Sequence, residues 1–80
     1  MSKDFLINLG ELLKKERIAA GYSQENIAGL LKVSQSQYSK YERGTQQPPI
    51  RLLWKFCKIC NIHLYQIFLH TDNHDKAEPN

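Results

Sequence analysis

Gln35, Ser36, Ser39 and Lys40 fall on one side of a short segment whose other side carries Tyr38 and Tyr41. At the helical advance of about 100° per residue, the four polar side chains point away from the two tyrosines. A glutamine amide can bond an adenine edge bidentately, a lysine can reach the acceptors of guanine, and a serine can serve either. Gln35 and Ser36 stand in the first turn, the part of such a helix that enters a major groove. The same pattern also describes a solvated face on an ordinary surface helix. The surrounding elements must decide between the two.

Those elements read as five helices and no strand. The first is expected over Phe5–Ala20, with Leu6, Leu9, Leu13 and Ala20 at helical spacing, Leu12 at the edge of the stripe and Gly21 as its left-handed stop. The second runs over Gln24–Leu31 behind the Ser23 cap, with Ile27, Leu30 and Leu31 as its apolar face and Ala28 where a neighbour can come close. After a turn at Lys32-Val33, the third helix starts at the Ser34 cap, ends near Arg43 and stops at Gly44. Ser34-Gln35-Ser36-Gln37 matches a capping box. Pro48 or Pro49 opens a fourth helix that reaches Cys60, with Asn61 as its stop. A fifth covers Leu64–Leu69. Residues 1–69 form the domain, and residues 70–80 are a polar, acidic, flexible tail.

Eighty residues suit one domain with a small core, in which roughly 60% of the unfolded surface is buried. The formal charge of +3 is uneven. Residues 1–69 carry ten Lys/Arg against five Asp/Glu, while the remainder sets Lys76 against Asp72, Asp75 and Glu78. A basic domain fits a polyanionic partner, although a charge of this size also serves solubility. No apolar run approaches the ~20 residues that span a bilayer, and the N-terminus lacks a secretory pattern, so the expectation is a cytoplasmic protein without a membrane partner.

The segment Leu9–Phe68 resembles the phage repressor/Cro family of helix-turn-helix domains. The likeness rests on LGELLKKERIAAGYSQENIA, VSQSQYSKYERG and PPIRLLWKFCKICNI, and on Arg17, Gly21, Gln24, Ala28, the Val33-Ser34 pair, Glu42 and Gly44 together. It implies an all-α, compact five-helix, lambda-repressor-like DNA-binding domain with its helix-turn-helix at helices two and three. It also implies an operator-binding homodimer. By that resemblance, Gln35, Ser36 and Lys40 occupy base-reading positions. Gln24 takes the phosphate-clamping position, and Gln37, Arg43, Thr45 and Gln46 are placed to touch backbone phosphates, which position a domain without reading sequence. Arg17 and Glu42 form a structural salt bridge from the first helix to the end of the third. Two departures stand out. Where the family usually has glycine in the turn, this chain has Lys32, which either takes a left-handed conformation at a cost of roughly 1 kcal/mol or alters the turn. His63 stands where the family prefers a capping Ser, Thr or Asp.

Cys57 and Cys60 sit three apart on the face of Ile50 and Leu53, which reads as core rather than as a metal or redox pair. His63, His70 and His74 are spare ligands in sequence, but no second CxxC supports them, and neither metal nor cofactor is expected. Ile50, Leu53, Phe56, Cys57 and Cys60 suffice for the inward side of the fourth helix. Leu52, Trp54 and Ile59 lie at its margins or beyond, and Tyr65 and Phe68 belong to a similar surplus on the fifth. This surplus either wraps a shared core or marks a dimer interface through Leu52, Trp54, Ile59, Tyr65 and Phe68.

The leading expectation is therefore a sequence-specific transcriptional regulator of repressor type. It sets the third helix in the major groove of a palindromic operator, with no room for an added ligand or cleavage domain. Phage, restriction-modification and toxin-antitoxin settings all remain open. Glu25 on the second helix is either a solvated carboxylate or a contact for RNA polymerase. The alternative is an interaction module, such as an antitoxin meeting its toxin through the helix four and five surface, with DNA binding secondary. An enzyme is set aside, since no nucleophile–base pair, phosphate loop or metal cluster is legible.

Overall fold

Among the described residues the backbone enters the left-handed region four times, and each time a helix ends there. The computed structural model describes residues 3–72, which form α1 (Lys3–Ala19), α2 (Gln24–Leu31), α3 (Gln35–Arg43), α4 (Ile50–Cys60) and α5 (Leu64–Asp72). The left-handed residues are Gly21, Lys32, Gly44 and Asn61. After each, the next N–H reaches back five residues: Tyr22 to Arg17, Val33 to Ala28, Thr45 to Lys40 and Ile62 to Cys57, at 2.9–3.1 Å. This closure satisfies carbonyls that a helix end would otherwise leave orphaned. Lys32 takes φ 62° and ψ 42°, so the turn keeps its left-handed geometry without glycine.

The starts are equally local. Ser23 Oγ accepts from the Asn26 N–H and Ser34 Oγ from the Gln37 N–H, both at 3.0 Å. The Gln37 side chain does not complete the expected capping box, because its amide donates to the Tyr41 hydroxyl at 3.1 Å. At α4, Pro49 is the extended residue before the helix and has no side-chain cap. At α5, the Gln66 side-chain oxygen accepts from the His63 N–H at 2.8 Å, the reciprocal half of a capping box.

α1 lies against α3 and α5, α2 packs on α3, and α4 closes the bundle against α2 and α5. Leu9, Leu13, Ile27, Tyr38, Phe56 and Ile67 are the largest fully buried side chains. Gly10 lets α1 approach the end of α3: a Cβ there would collide with the Glu42 carbonyl oxygen. At Gly44 a Cβ would meet the Ile7 backbone at 2.8 Å.

Several sequence expectations are corrected. α1 starts at Lys3, and its buried stripe ends at Arg17, leaving Ala20 exposed. Leu12, expected at the edge of that stripe, is in the core. Leu30 is 46% exposed and Ile50 is 57% exposed, although both were expected inside. Leu52, expected at an interface, is instead buried in the core, because the inward arc of α4 centres on Leu53 and Phe56. α5 continues to Asp72, three residues beyond the expected edge of the domain. The rest of the expected tail, residues 73–80, lies outside the described residues.

Candidate nucleic-acid interface

The mount of α3 is a network centred on one carboxylate. Arg17 Nε donates to Glu42 Oε2 at 2.7 Å and Arg17 Nη2 to Oε1 at 3.2 Å. The Tyr38 hydroxyl donates to Oε2 at 2.6 Å, and the Gln24 amide to Oε1 at 2.9 Å. Arg17 Nη1 also donates to the Tyr22 carbonyl at 2.8 Å. Helices α1, α2 and α3 therefore converge on Glu42, and the Arg17 and Glu42 side chains are only 10% and 4% exposed. Burial alone would raise the Glu42 carboxyl. Hydrogen bonds from Arg17, Tyr38 and Gln24 outweigh it and hold the carboxyl below its usual range. The Glu42 hydrogen bond raises the Arg17 guanidinium still further. Burial, then the bond to Glu42, raises the Tyr38 phenol far above its ordinary value, so it stays a donor. A carboxylate in the last turn of a helix opposes the helix dipole, and here Arg17 compensates it.

With Tyr38 fully buried and set edge-on to Tyr41 at 6.3 Å between ring centres, the opposite face of α3 is turned outward. Gln35, Ser36 and Lys40 are exposed on it and make no hydrogen bond through their side chains among the described residues. Gln46 in the following loop is likewise exposed. Other polar residues around this face are tied to the domain. Arg43 Nη1 donates to Ser39 Oγ at 2.8 Å, and the Thr45 hydroxyl donates to the Lys40 carbonyl at 3.2 Å. Gln37 is held by Tyr41, and Gln24 by Glu42. Because Glu42 is spent on Arg17, the outward charges of α3 are Lys40 and Arg43, both cationic.

The parts of the network beyond Arg17 and Glu42 were not anticipated from the sequence. Tyr38 and Glu42 are four apart on one helix, a spacing that signals contact. Nothing local ties Gln24 to position 42. The cysteines are chemically quiet: burial pushes the Cys60 thiol up to about 11 and raises Cys57 as well. No cluster of three or more potential metal ligands occurs among the described residues.

A fold of five helices with a rigid helix pair presenting amides, a hydroxyl and a cation is that of a helix-turn-helix module. Residues 13–67 match the helix-turn-helix family model, and the chain belongs to this family, in its phage repressor/Cro-type branch. It is similar to a prophage-derived, uncharacterised helix-turn-helix-type transcriptional regulator, YonR, of Bacillus subtilis, at 40% identity over 53 residues. That match covers 66% of this chain and 49% of the relative, so the chain spans about half the length of the protein it matches. Among solved structures it resembles the restriction-modification controller protein C.AhdI of Aeromonas hydrophila, with TM-score 0.76, 27% identity, and coverage of 82% of this chain and 96% of that one. The clp gene regulator ClgR of Corynebacterium glutamicum shares the fold, with TM-score 0.81 at 20% identity, over 92% of this chain and 79% of that one. The family and these structures are transcription regulators, not enzymes.

Proposed function

We propose that this chain is a DNA-binding transcriptional regulator of repressor type, acting in the cytoplasm, that sets α3 into the major groove of a two-fold symmetric operator as a homodimer. The observation that carries the reading is the uncommitted polar triad of Gln35, Ser36 and Lys40 on a helix fixed from behind by the Glu42 network. Gln35 and Lys40 supply an amide and a cation for base edges, with Ser36 beside them in the first turn. Gln46 is free to meet a phosphate. Arg43, Gln37 and Thr45 would do so while keeping or exchanging their present partners. Gln24 gives one amide hydrogen to Glu42 and would offer the other to a phosphate.

The homodimer is assigned to the exposed face of α5, where Tyr65 is 60% exposed and Phe68 and Leu69 follow three and four residues on. The outer face of α4 is a poorer self-complementary surface, because Arg51, Lys55 and Lys58 would confront their own copies. An antitoxin-like module with DNA binding secondary is not favoured, since Gln35, Ser36 and Lys40 stand exposed and uncommitted on α3. A contact between exposed Glu25 and RNA polymerase belongs only to an activating role.

Selection of bound sequences from random DNA tests the reading. A symmetric motif with half-sites about one turn, ~34 Å, apart is expected. Lys40→Ala should change the preferred bases while leaving the symmetry intact. Recovery of no enriched motif would overturn the proposal.

A further inference from the structure

Between the C-terminal end of α2 and the outer side of α4 runs an open groove of about 720 Å³. Its apolar surface is chiefly Trp54 and the half-buried Ile59, over a floor formed by the edges of the buried Leu31 and Leu52. Its charged lining is Lys32, Arg51, Lys55 and Lys58, with no acidic residue. None of these four cations has a carboxylate partner among the described residues, where the Arg17–Glu42 pair is the one salt bridge. Lys58 instead lies over the Trp54 ring at 4.4 Å, a cation–π contact that keeps the indole at the groove while it remains 55% exposed. The base-reading residues of α3 do not line this groove.

We infer that this groove is a docking site for an acidic, amphipathic peptide segment of a partner protein, one that sets apolar anchors against Trp54, Ile59 and Leu31 and carboxylates against the surrounding cations. Charge and apolar area together select this occupant. A second copy of the chain would bring the α4 cations against cations. The chain's own residues 70–80 are acidic but contain no large apolar side chain to fill the floor. Duplex DNA would satisfy the cations and leave the apolar surface unused. An amphipathic helix laid in a groove uses both halves of the surface. The inference stands apart from the operator reading and is tested without operator DNA.

Trp54 is the only tryptophan in the chain, so its emission reports on the groove directly. The probe is a synthetic helical peptide of Glu, Ala and Leu with its leucines on one face, titrated against the full chain. A saturable blue shift of Trp54 emission is expected, weakened by added salt. Arg51→Glu and Lys55→Glu should each weaken it about tenfold or more, since each places like charge against the peptide. Unchanged thermal unfolding of the two variants would show that the loss is one of binding. Comparison titrations use a leucine-free version of the peptide, a peptide of residues 70–80 and a random-sequence duplex. Absence of a saturable shift, or an equal response to any of these three, overturns the inference.

Discussion

Glu42 is the residue on which most of the polar architecture depends. It sits near the end of α3, yet it is bonded by Arg17 from α1, Gln24 from α2 and Tyr38 from its own helix. Removing one member of such a pair leaves the other charge buried and unpaired, which is costlier than removing both. Arg17→Ala should therefore destabilise the domain by about 3 kcal/mol, and Arg17→Ala/Glu42→Ala by less than the sum of the single changes, as read in urea unfolding. The pH response has a definite sign. The folded-state pKa of Glu42 is depressed, so its contribution is complete above the unfolded value of about 4.3 and disappears as pH falls through the lower folded value. Glu42→Gln should flatten that part of the stability profile. A profile with the same acid limb as the parent chain would show that other carboxylates set it. Arg17 and Glu42 were legible as a pair through the family pattern. Gln24 as a third partner was not, because a contact across eighteen residues leaves no periodic trace.

At the scale of the element, the helix-turn-helix is specified by its ends. Ser23, Ser34 and Gly44 do what their types predict, and the starts and stops of α2 and α3 were readable for that reason. Lys32 is the departure: it holds φ 62°, where a Cβ crowds the following carbonyl. Lys32→Gly should raise stability by about 0.5–1 kcal/mol, the relief of strain being partly offset by the greater freedom of glycine in the unfolded chain. Lys32→Val should lower it, since branching at Cβ suits this region least. Equal melting temperatures for all three chains would mean that the turn bears no strain. What the sequence did not reveal is the rotation of each helix about its axis. Leu30 and Ile50 fit an apolar stripe by spacing alone, but no neighbour among the described residues covers them. Burial is decided by which helix crosses where, and an eight-residue pattern cannot fix that to within one side chain.

For the whole molecule, two of the surfaces that carry exposed apolar residues differ in character. On α5, Tyr65 and Leu69 are well exposed, and this face is the proposed two-fold contact. On α4, Trp54 is ringed by cations. Tyr65→Asp combined with Leu69→Asp should leave the monomer fold intact, convert dimer to monomer in sedimentation, and weaken operator binding by separating the two half-site readers. Retention of the dimer would move the contact elsewhere. The surplus of apolar residues at Leu52, Trp54 and Ile59 was plain in the sequence. Their joint meaning was not, because the groove exists only once the end of α2 is laid beside α4.

The absence of a side chain at Gly10 has a consequence for how such a chain can diversify. With the α1 backbone seated on the last carbonyls of α3, the tilt of α3 is closed to gradual adjustment: even one methyl group would collide. Gln35, Ser36 and Lys40, in contrast, contribute nothing to the core and are exchangeable at little structural cost. On the reading proposed above, new target preferences are reached by swapping letters on a fixed typeface rather than by recutting it, and lineages built on this frame should differ at those three sites long before they differ in helix geometry.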